Sequence, residues 1–145
     1  MIARPQDHAG PYSSNRLFEW VMAIAMFLMA VTLALPGDSL DRGALRQLAE
    51  AGFSEIAMAL ILGAIGVARC VALFANGNLP LYGPILRWIG SAVGAMAWAY
   101  LMGVLAFDSL VTGNPSFISP LFGAIAAGEI VSCKRAVRDG RFRFF

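Results

Sequence analysis

Histidine occurs once in this chain, at His8, and cysteine only twice, at Cys70 and Cys133, with no C-x-x-C spacing. A structural zinc site needs four ligands and a disulfide scaffold needs several cysteine pairs, so both are excluded. Catalytic groups are equally scarce. No nucleophile has a base at a suggestive spacing, and the isolated glycines fall in apolar runs, not in a phosphate-binding loop. Charge is thin as well: 11 Lys and Arg with 9 Asp and Glu make up 14% of 145 residues, for a formal net charge of +2. So few charges barely cover the surface of a soluble domain, and so small an excess leaves no electrostatic footprint for nucleic acid. The composition predicts a protein that is not an enzyme and takes no metal, cofactor or nucleic acid.

What fills the chain instead is apolar, 59% hydrophobic with a mean hydropathy of +0.69. A bilayer's hydrocarbon core, about 30 Å thick, is crossed by a helix of about 20 residues rising ~1.5 Å each. Four stretches, 16–35, 53–75, 85–107 and 117–133, predict an all-α integral membrane four-helix bundle. Residues 1–15, with Pro5, Gly10 and Pro11, read as a flexible tail without the apolar core of a signal peptide. Ser14 or Asn15 is placed to cap the first span, and Pro36-Gly37 ends it. In DSLDRGALRQLAEAG, Leu40, Ala44, Leu45 and Leu48 share a face, with Asp41, Arg42, Arg46 and Glu50 elsewhere. That is the pattern of a short amphipathic helix lying along the membrane surface or capping the bundle, itself capped by Asp38 or Ser39 and stopped by Gly52. The alternative is a loop with some helicity, since Gly43 weakens the helix. The fourth apolar stretch is short, so Lys134 and Arg135 are expected to reach back to the headgroups.

Four spans place both termini on one side. That side collects Arg4, Arg16, Arg87 and a basic, aromatic tail over 134–145 with Lys134, Arg135, Arg138, Arg141 and Arg143; the other has Arg42 and Arg46. The positive-inside rule then makes the termini cytoplasmic. Arg69 lies six residues before the end of the second span, about 9 Å deep, and Glu129 four residues before Cys133, about 6 Å deep. Glu19 enters in the first turn of span one, at similar depth. An arginine near the centre of a spanning helix costs about 2.5–3.5 kcal/mol and turns toward a partner, the bundle interior or water. An intramembrane ion cluster of Glu19, Arg69 and Glu129 follows, with Arg69 paired to Glu129 and Glu19 as a second acceptor. The alternative is three charges snorkelling separately. Transport sites usually lie nearer mid-membrane, often at broken helices, so the cluster reads as a clamp. Arg87 and Trp88 stand at the entry of span three.

Gly90-x-x-x-Gly94, and Gly123 with Ala127, supply the small residues that let membrane helices approach, within one chain or between copies. The basic tail suits an anionic membrane face, at about 1 kcal/mol per basic side chain near the surface. RLFEW, GVARCVALFANG, PILRWIG and GEIVSCKRAVRDGR together resemble small membrane proteins encoded by phages and prophages. The resemblance implies a bacterial inner membrane and a place among lysis or host-takeover proteins. Holins typically have one to three spans, and four depart from that pattern. The expected functions are a holin-like or lysis-associated protein that oligomerises through its small-residue faces, a structural protein that anchors a partner through its tail or amphipathic connector, or, ranked last, a small-solute transporter or oxidoreductase accessory subunit. The lipid bilayer is the one partner common to all.

Overall fold

A buried stripe recurs every three or four residues along each long helix. In the computed structural model, which describes residues 14–37, 40, 45–50, 52–78 and 82–141, the elements are α1 (Ser14–Ala34), α2 (Arg46–Glu50), α3 (Glu55–Asn78), α4 (Gly83–Thr112) and α5 (Ile118–Arg141). The stripe runs through Glu19, Ala23, Met26, Ala30 and Leu33 on α1, and through Arg87, Ser91, Gly94, Trp98, Leu101 and Leu105 on α4. On α5 it runs through Ser119, Phe122, Ala126, Glu129, Ser132 and Ala136. This spacing keeps one side of a 3.6-residue helix turned inward. The outward sides are apolar too: Leu28, Leu60, Met96 and Leu121 are all exposed. A helix greasy on both faces is matched to a lipid surround, where its backbone groups are satisfied internally.

Among the described residues, three helices are long and apolar enough to cross a membrane: Leu17–Ala34, Glu55–Ala75 and Gly83–Thr112. The expected fourth span does not meet that measure, because α5 carries Glu129, Lys134, Arg135 and Arg138. Its helix also differs in extent, continuing past Cys133 to Arg141 through good helix formers with no glycine or proline before Gly140. Likewise α4 runs beyond Phe107 to Thr112, where Gly113 at φ 70° ends it in the left-handed conformation that glycine adopts without strain.

Consecutive long helices pack antiparallel: α1 against α3, α3 against α4, α4 against α5, with a thinner contact between α1 and α5. Gly66 lets α3 approach α1 so closely that a Cβ there would lie 2.9 Å from the backbone nitrogen of Phe27. Between α4 and α5 the rings of Trp98 and Phe122 meet at 5.0 Å and 53°, a tilted pairing worth about 0.5–1.5 kcal/mol beyond burial. The Ser119 hydroxyl donates to the Met102 carbonyl at 3.2 Å.

The connector after α1 turns inward. Leu40 and Leu48 are buried in the same core as Met26, Leu62 and Leu105, and the Leu40 N–H donates to Glu55 Oε1 at 2.7 Å. The expected amphipathic helix is observed as the five residues of α2, which rests on α4 and ends at Gly52, φ +87°. There the Phe53 N–H donates to the Leu48 carbonyl at 3.0 Å, closing the helix end. Residues 1–13, Asp38, Ser39, 41–44, 51, 79–81 and 142–145 lie outside the described residues, and with them most of the expected N-terminal tail, the proposed connector cap and Arg143.

Candidate functional site

Four charged side chains, one from each long helix, are withdrawn from the surface at the end of the bundle where α1 begins and α3 ends. Glu19 and Glu129 are 0% exposed, Arg69 is 3% and Arg87 6%. Each sits on its helix's buried stripe, so the helical period delivers all four inward.

Glu19 belongs to Arg87. Arg87 Nε donates to Oε2 at 2.8 Å and to Oε1 at 3.1 Å, while Nη2 donates to Oε1 at 2.6 Å. Such a fork is the strong form of the arginine–carboxylate contact. The expectation that Glu19 serves Arg69 is therefore corrected: Arg87 occupies both carboxylate oxygens. Arg87, at the entry of α4, is thereby turned inward. A signal for this was present in the sequence, because Arg87, Ser91, Gly94 and Trp98 repeat at four, three and four residues on one face of α4.

Arg69 meets Glu129, with Nη2 2.5 Å from Oε1. The contact is close, while Arg69 Nη1 has no hydrogen-bond partner among the described residues. Ser91 lies beside this carboxylate, and Glu19 is near enough for the two carboxylates to repel. Each ion pair joins helices that otherwise barely touch, α1 to α4 and α3 to α5. The two pairs thus run across the diagonals of the bundle, and the four charges sum to zero.

Gly90 and Gly94 face α3, and what they chiefly admit is a side chain. A Cβ on Gly94 would lie 2.5 Å from Arg69 Nη1 and 2.9 Å from its Cζ, and one on Gly90 would lie 3.6 Å from its Cγ. The two glycines form a berth for the arginine side chain in the face of α4. Below it, Arg69 also borders an apolar crevice of about 350 Å³ between α3 and α4, flanked by Ala72, Leu86 and Ile89. Gly123 receives the Met102 sulfur, 2.8 Å from a Cβ there, whereas Ala127 faces outward. Gly128, four residues from Ala124 in the same small-residue pattern, receives the Phe18 ring of α1, 2.6 Å from a Cβ there.

Beyond the quartet, the Cys133 thiol donates to the Trp88 carbonyl at 3.8 Å, and Cys70 and Cys133 are both free. Lys134 and Arg138 are exposed one turn apart and Arg135 is half-buried; the Arg141 side chain is not among those described. Lys134 and Arg138 continue the outward face that carries Ile130 and Val131. No group of three or more His, Cys, Asp or Glu among the described residues is placed to hold a metal ion. Chemically, the arrangement holds opposite charges against one another in a low-dielectric interior, where separating them is costly. Comparison with known protein families, with curated proteins and with solved structures finds no match to this chain.

Proposed function

We propose that this chain is a four-span protein of a bacterial inner membrane, with both termini in the cytoplasm. It works as a self-contained anchoring bundle that offers the basic end of α5 to a partner. The observation that carries this reading is the pair of diagonal ion contacts, Glu19 with Arg87 and Arg69 with Glu129, which tie all four long helices together. Charges engaged with one another and sealed from the surface favour a fixed bundle over one that opens an aqueous path. Lys134, Arg135 and Arg138 lie at the end opposite Arg46, the asymmetry that supports a cytoplasmic C-terminus.

A second reading, a holin-like protein acting by oligomerisation, is favoured by the exposed small residues. Ala99 and Gly103 on α4 face outward four residues apart, the spacing that lets helices of neighbouring copies approach, and Ala124 and Ala127 on α5 are exposed as well. High-level expression in a bacterial host, followed with a membrane-potential dye, separates the two. Sustained polarisation and normal growth support the anchoring bundle. Depolarisation that Gly103→Leu prevents supports the holin-like reading.

A further inference from the structure

We infer that α5 is a conditional span, drawn across the membrane by the contact between its Glu129 and Arg69 of α3, and this rests on the four-span reading above. The other three long helices are apolar enough to cross unaided, and α5 is not. From Ile118 to Cys133 its apolar part is about 24 Å long at helical rise, shorter than the hydrocarbon slab of about 30 Å. Glu129 stands inside that part, and Lys134 and Arg135 follow it at once.

The fold supplies what α5 lacks. Arg69 lies in the notch at Gly90 and Gly94 on α4, the helix against which α5 packs. Being earlier in the chain, α3 and α4 present that guanidinium before α5 is made. Arg87, the other buried guanidinium, is engaged by Glu19. Glu129 is 0% exposed with the Arg69 guanidinium against it, and the Arg69 charge is what offsets its transfer into the membrane. Ion pairing also links α5 to α3, which it scarcely touches elsewhere. The basic residues beyond Cys133 favour the cytoplasmic side and act in the same direction. The C-terminal side of the chain is therefore set by a contact between two helices and not by the hydropathy of α5 alone.

The test fuses the full chain, at its C-terminus, to alkaline phosphatase, active only outside the cytoplasm, or to a fluorescent protein that matures only inside it. Wild type should give fluorescence and little phosphatase activity. Arg69→Ala should raise the phosphatase-to-fluorescence ratio by about fivefold or more, and Arg69→Ala with Glu129→Gln should return it to the wild-type value, because a neutral α5 no longer needs the arginine. A wild-type C-terminus outside the cytoplasm would overturn the four-span reading and this inference together. A wild-type C-terminus inside, unchanged by Arg69→Ala, would overturn this inference and leave that reading standing. If the Arg69→Ala chain is degraded, the double variant decides: a cytoplasmic C-terminus at wild-type yield supports the inference, and any other result overturns it.

Discussion

Replacing Glu19 by Gln and Arg87 by Met, singly and together, measures what the α1–α4 diagonal contributes. Three hydrogen bonds of 2.6, 2.8 and 3.1 Å join two side chains that are 0% and 6% exposed. Removing one member of a buried pair leaves an uncompensated charge, at a cost of about 3–5 kcal/mol, whereas replacing both by apolar or neutral groups is often close to neutral. Glu19→Gln should fall at the low end, near 3 kcal/mol, because Arg87 is only one turn from the start of α4 and its long stem can reach toward the headgroups. Arg87→Met strands a carboxylate that has no comparable reach. Both singles should therefore destabilise strongly, and the double should be far milder than their sum, a coupling of at least 2 kcal/mol. The assay is reversible unfolding of the purified protein in mixed micelles, followed by loss of helical circular dichroism. Additive effects below about 1 kcal/mol each, the range of exposed pairs, would refute the claim that this contact is buried and closes the bundle.

Gly66→Ala should destabilise by about 1–3 kcal/mol, since its Cβ would meet the Phe27 backbone at 2.9 Å; Gly103→Ala, with nothing within 4 Å, should stabilise by about 0.8–1 kcal/mol through helix propensity. Thermal unfolding of both variants in one detergent checks the contrast, and equal signs would contradict the packing described. Gly94→Ala should push the Arg69 guanidinium from its berth and lower the unfolding midpoint more than Gly90→Ala, where the nearest Arg69 atom would be 3.6 Å away. Glu55→Ala should free the Leu40 amide, at a cost of about 1–3 kcal/mol, read as faster hydrogen exchange at Leu40 with exchange in mid-α3 unchanged.

The helices were legible because their apolar runs are long and bounded by Pro36-Gly37, Asn76-Gly77 and Gly113-Asn114-Pro115. Depth was legible too: counting residues from the ends of the runs put Arg69 and Glu129 at one level, and the guanidinium does lie against that carboxylate. What counting could not supply was direction around the helix axis. Arg87 lies one turn into α4, a position that suits a headgroup residue equally well, and only its register with Ser91, Gly94 and Trp98 turns it inward to Glu19. The role of Gly90 and Gly94 was hidden for a related reason. A small-xxx-small spacing says that something comes close, but a backbone and an arginine side chain leave the same gap in the sequence. The inward turn of the connector depends on Glu55 meeting the Leu40 amide fifteen residues away, a contact that no local pattern announces. For α5, apolar length and charge pull in opposite directions, and tertiary pairing has to decide between them.

The central claim, that four helices cross as one bundle with both termini on one face, is tested most directly by tagging each terminus of the full chain and exposing sealed membranes of known orientation to protease. In right-side-out spheroplasts both tags should be protected, and in inverted vesicles both should be cleaved. Cleavage of one tag in each preparation would place the termini on opposite faces and contradict the account.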